Sequence, residues 1–147
     1  MRRSAPLTLL AAAAVAALAV AAPASAAGRP LDADLLGANE VGTAGDPDGS
    51  GTADITVNPG RGEVCFDISV ADVDEVLAGH IHEAPAGTNG IVVVNFSLTQ
   101  TDFVAGTASG CASVARSLAK EIIKDSDSYY VNIHTTAFPA GALRGQL

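Results

Sequence analysis

From Leu31 onward the chain is built of short runs in which apolar and polar residues alternate, the period of a strand with one face on a core and the other in water. Residues 31–36 set Leu31, Ala33 and Leu35 against Asp32 and Asp34. Residues 51–57 do the same with Ala53, Ile55 and Val57, and after the turn signal Asn58-Pro59-Gly60 residues 63–70 return with Val64, Phe66, Ile68 and Val70 inward. Residues 76–82, 91–98, 103–110, 129–134 and 142–147 complete a set of seven or eight short strands, the 91–98 run being nearly continuous in its apolar character. A different period occurs at 113–124, where Val114, Leu118 and Ile122 recur every fourth residue behind Ser113, a candidate N-cap, with Lys120 and Lys124 toward the C-terminus. This spacing predicts one α-helix over 113–124. Short strands with turns at regular intervals predict an all-β fold, a β-sandwich or Greek-key barrel.

The first residues break the pattern. Arg2 and Arg3 precede an apolar run over 7–22, and Ala24-Ser25-Ala26 offers small residues for cleavage, so residues 1–26 are expected to be a secretory signal peptide. The apolar run falls short of the roughly 20 residues of a membrane span. The Arg2-Arg3 pair leaves both the general and the twin-arginine export routes open. The expected mature protein, residues 27–147, is one exported domain with no membrane attachment.

Charge narrows the partners. The whole chain carries a net charge of -8, and without Arg2 and Arg3 it holds 6 basic against 16 acidic residues. Such a surface disfavours nucleic acid and anionic membranes, and fits cations, basic proteins or simple solubility. The chain has two cysteines, Cys65 and Cys111. In an oxidising compartment an even pair reads as a disulfide, the alternative being two soft metal ligands. Asp46 and Asp48, set among glycines at 45–51, suggest either a calcium loop or an ordinary turn, and the full calcium-hand spacing is absent.

The chemistry gathers on histidine, of which there are three. His80 and His82 stand two apart in a strand and therefore share a face, with Ile81 on the opposite one. His134 occupies the same kind of position in YYVNIHT, beside Tyr130 and Asn132 and opposite Val131 and Ile133. If the two strands lie together, three neutral imidazoles form a site for copper or zinc that needs no thiolate. The competing reading has these rings hydrogen-bonded to backbone, Asn132 or Glu83. No nucleophile elbow, phosphate loop or supported acid–base pair is present, so an enzyme is not the expectation.

Three separated segments, 37–41 (GANEV), 79–90 (GHIHEAPAGTNG) and 129–147 (YYVNIHTTAFPAGALRGQL), resemble the CHRD domain, the module first described in chordin and found singly in exported bacterial proteins. The resemblance spans residues 27–147; the chain departs from it at Ala142, where an acidic residue is frequent. It implies an immunoglobulin-like β-sandwich related in shape to copper/zinc superoxide dismutases. In those enzymes a H-x-H pair like His80 and His82 joins a distant histidine, and Arg144 resembles their anion-guiding arginine. They also use further histidines that this chain lacks. From its place in the closing strand, Arg144 reads as a structural ion-pair or carbonyl-binding residue rather than a substrate guide. The expected function is a secreted module binding an extracellular protein or cell-surface ligand. The alternatives are a metalloprotein of copper homeostasis or oxidative defence and a purely structural matrix module.

Overall fold

The computed structural model describes residues 28–147, so the expected signal peptide, 1–26, lies outside the described residues. Within them eight antiparallel strands form: β1 (Arg29–Leu36), β2 (Ser50–Asn58), β3 (Glu63–Ala71), β4 (Val76–Glu83), β5 (Ile91–Asn95), β6 (Thr107–Ser113), β7 (Tyr129–Thr135) and β8 (Leu143–Gln146). One α-helix, α1 (Arg116–Lys124), lies between β6 and β7. The strand order is β5-β4-β7-β8-β1-β2-β3-β6, and β8 meets β1 through the single pair Leu36 and Arg144. The ladder thus divides into two halves, β5-β4-β7-β8 and β1-β2-β3-β6, that fold over one another as an all-β sandwich.

The alternation decides which faces meet. Leu35, Ile55, Val57, Val64, Phe66 and Ile68 come from one half, and Ile81, Val131, Ile133 and Leu143 from the other, all in one buried cluster. Phe66 meets Phe96 across it at 4.5 Å between ring centroids. Each such side chain contributes about 1.5–3 kcal/mol when fully buried. At the β8–β1 junction Gly145 is required, because a Cβ there would stand 2.4 Å from the Asp34 carbonyl oxygen.

Three expected boundaries move. The helix begins at Arg116 rather than at 113, and its N-cap is Ala115, which supplies no side-chain bond. Ser113 instead closes β6 opposite Glu63, and the Val114 N–H donates to Gly62, so the sheet ladder holds the residues that helical spacing had claimed. Ala119 and Ile122 carry the buried face, which packs on β2 and β3. The strand expected at 103–110 starts at Thr107, because Val104 and Thr107 close a tight turn through Ala105 and Gly106, both at positive φ. The run expected at 91–98 leaves the ladder after Asn95, whose Oδ1 accepts from the Ser97 N–H, while Phe96 and Leu98 stay buried.

Cys65 and Cys111 are directly opposed on β3 and β6 and form a disulfide, which ties the edge strand β6 to the sheet. Asp46 forms an ordinary turn: its Oδ1 accepts from the N–H groups of Asp48 and Gly49.

Candidate metal centre

The outward faces of β4, β7 and β8 carry the residues with chemistry. Antiparallel register sets His80 opposite Asn132, His82 opposite Tyr130 and Ala78 opposite His134, with Arg144 of β8 opposite Asn132 on the far side. His134 is thus the diagonal neighbour of His80, and their ring centroids are 5.1 Å apart. His80 and His82 are 5.7 Å apart, and His82 and His134 6.3 Å. One ring nitrogen from each of the three lies within 4.8 Å of the others. Ile81, Val131 and Ile133 pack beneath.

Two rings are held by backbone carbonyls. Nδ1 of His82 is 3.0 Å from the Gly90 oxygen, and Nδ1 of His134 is 3.1 Å from the Pro139 oxygen. A carbonyl only accepts, so each Nδ1 carries the proton and each Nε2 presents a lone pair. Those two Nε2 atoms, with Nδ1 of His80, are buried and have no hydrogen-bond partner. Buried polar atoms are normally satisfied, and here three unpartnered ring nitrogens lie on adjoining imidazoles. Of the partners in the competing reading, backbone carbonyls are used by His82 and His134, whereas Asn132 and Glu83 are not. Asn132 donates instead to the Glu40 carboxylate and to the Leu143 carbonyl.

The electrostatics favour neutral rings. Burial, and then the neighbouring His134 and His82, lower the pKa of His80 to about 4. Burial likewise lowers His82, partly offset by its bond to Gly90, and lowers His134, partly offset by its bond to Pro139. Burial raises the pKa of Glu40, against the opposing influence of Asn132 and Arg144. The folded histidines bind fewer protons than the unfolded ones near 6.5, so their contribution to stability is complete above about pH 6.5 and is lost as pH falls toward 4. Urea midpoints of metal-free protein are expected to drop over that window. In a His80→Ala, His82→Ala, His134→Ala variant the drop shrinks to what the carboxylates cause, and parallel curves for the two proteins would contradict the assignment.

A pocket of about 410 Å³ opens over His82 and His134, with Glu40 to Thr43 on one wall and Asn89 and Gly90 on another. A larger groove of about 460 Å³ lies at Asp34, Leu36 and Val70, and its lining holds no histidine. Gly90 is a glycine for a steric reason: a Cβ would sit 1.9 Å from the Glu83 carbonyl oxygen, and the turn that brings its own oxygen to His82 would have to open.

Arg144 is 2 % exposed. Its guanidinium donates to the carbonyls of Thr88 at 2.7 Å and Pro85 at 3.4 Å and to Asn89 Oδ1 at 3.2 Å, and lies 3.5 Å from the centre of the Tyr130 ring. The model of the CHRD domain family matches residues 31–147. The chain belongs to the CHRD domain family. No curated protein and no solved structure matches it. In this CHRD domain the sequence alone points to the histidines and Arg144, but not to Tyr130, Glu40 or the carbonyls of Gly90 and Pro139. Backbone oxygens carry no sequence signature, and Tyr130 and Glu40 acquire a role only through their neighbours.

Proposed function

We propose that this CHRD domain acts outside the cell as a binding module for an extracellular protein or cell-surface ligand, and that it holds one copper or zinc ion through His80, His82 and His134. The observation that carries the metal reading is the set of three buried, unpartnered ring nitrogens, two of them oriented by a carbonyl on the opposite side of the ring. An all-nitrogen, thiolate-free set suits Cu(II) and Zn(II), with Cu(II) the tighter by intrinsic order. Lowered pKa values help as well, because the ion has fewer protons to displace at neutral pH.

The test is calorimetric titration of metal-free residues 27–147 with Cu(II) and Zn(II). One equivalent is expected to bind the wild type and none to bind the triple histidine variant at comparable affinity. Equal binding by the two proteins would remove the metal from the proposal and leave the binding module. A second reading, a metalloprotein of copper homeostasis or oxidative defence, is favoured by the pocket over His82 and His134, which leaves room for a fourth, exchangeable ligand. Superoxide turnover by the copper-loaded protein tests the oxidative-defence form of this reading, and its absence with copper bound leaves carriage or sensing.

A further inference from the structure

Arg144 is a positive charge buried against two backbone carbonyls and the Asn89 side-chain oxygen; Glu40 feels its charge, but among the described residues no carboxylate lies at ion-pair distance from it. Burial of this kind is costly unless the charge is spread over several strong acceptors. All the acceptors it has found belong to one turn, that of Pro85, Thr88 and Asn89. The same turn ends at Gly90, whose oxygen meets Nδ1 of His82 and whose N–H donates to the Tyr130 hydroxyl at 3.2 Å. Tyr130 stands on β7, between β4 and β8, and the His82 ring stacks on it at 4.8 Å and 11° while Arg144 lies over it. Asn89 further ties the turn to the Val41 carbonyl.

We propose that Arg144 is a positioning residue for His82: acting through the Pro85–Gly90 turn and the Tyr130 ring, it keeps the Gly90 carbonyl on Nδ1 and so leaves Nε2 as the metal-facing atom. The planar guanidinium suits the task because it bonds three acceptors while its face covers an aromatic ring. Lysine offers a point charge and no face. His134 takes no part in this arrangement, since its Nδ1 partner is Pro139. That independence supplies an internal control. The inference rests on the metal reading for its affinity consequence, whereas the tautomer consequence is open to measurement without metal.

The experiment is long-range proton–nitrogen NMR of histidine-labelled, metal-free protein, with Arg144→Lys and the milder Tyr130→Phe, which removes only the hydroxyl that holds the Gly90 N–H. Wild-type His82 and His134 should both carry the proton on Nδ1. In the variants His82 should become a mixture of tautomers while His134 stays unchanged, and Cu(II) affinity should fall about 10- to 100-fold, the usual effect of losing a group that orients a ligand. Retention of the His82 tautomer in both variants overturns the proposal. So does loss of order at His82 and His134 together, which would make Arg144 a support of the fold at large. Failure of the wild type to bind Cu(II), with the His82 tautomer still dependent on Arg144, would count against the metal alone and uphold the clamp.

Discussion

Replacing Cys65 and Cys111 together by alanine is expected to lower the unfolding free energy by about 4 kcal/mol in the chain-entropy account of a cross-link, which depends on the 46-residue separation closed here. The cross-link joins β3 to β6, and β6 is an edge strand whose hydrogen bonds come from one side. Freed from the cross-link, β6 has the β3 ladder and the buried Ala108 to hold it. The short connection to α1 links the helix to the same strand, so fraying there also exposes Ala119 and Ile122. Against a total of about 5–15 kcal/mol for a typical domain the loss is large. Urea unfolding of the double variant beside the oxidised wild type reads it directly. A steeper denaturant dependence is expected as well, because the unfolded chain without its loop exposes more surface. Coincident unfolding curves would show that the bond does not constrain the unfolded chain as supposed.

The second large effect is the one expected of the proposed metal. An ion that binds the folded protein and not the unfolded one adds about 4 kcal/mol at a free concentration 1,000 times its Kd. For a domain of this size the gain corresponds to a rise in melting temperature on the order of 10 °C or more. The increment should disappear in His134→Ala as well as in His80→Ala. That pairing matters, because His134 is 54 and 52 positions from the other two and reaches them only through the β4–β7 ladder. A rise that persists in His134→Ala would place the ion elsewhere. Lowering the pH from 7 toward 4 should reduce the increment, since protons on the three rings compete for the same lone pairs.

Both effects join parts of the molecule that differ in how visible they are in the chain. The disulfide is legible because a disulfide is the simplest fate of two cysteines in a chain that reads as exported, and the alternation of β3 already sets Cys65 away from the core. The site is half legible. Period-two alternation places His80 and His82 on one face and His134 on the polar face of its own strand. The helix start at Arg116 was hidden because a four-residue spacing identifies a buried face and does not say which residues the neighbouring ladder has claimed.

What the sequence by itself determined is therefore the set of local periods: the strands, the sidedness of every histidine, the cysteine pair and the membership in the CHRD family. The tertiary structure decided the rest. It placed β4 beside β7 although some fifty residues separate them, and chose the register that makes His134 the diagonal neighbour of His80. It brought the Gly90 and Pro139 oxygens to the imidazoles and buried Arg144 against Tyr130. The physical reason is that alternation is set by the geometry of one strand, whereas pairing and register are set by how two apolar faces fill a common core, and the hydrogen-bond partners that tune a histidine follow from that packing.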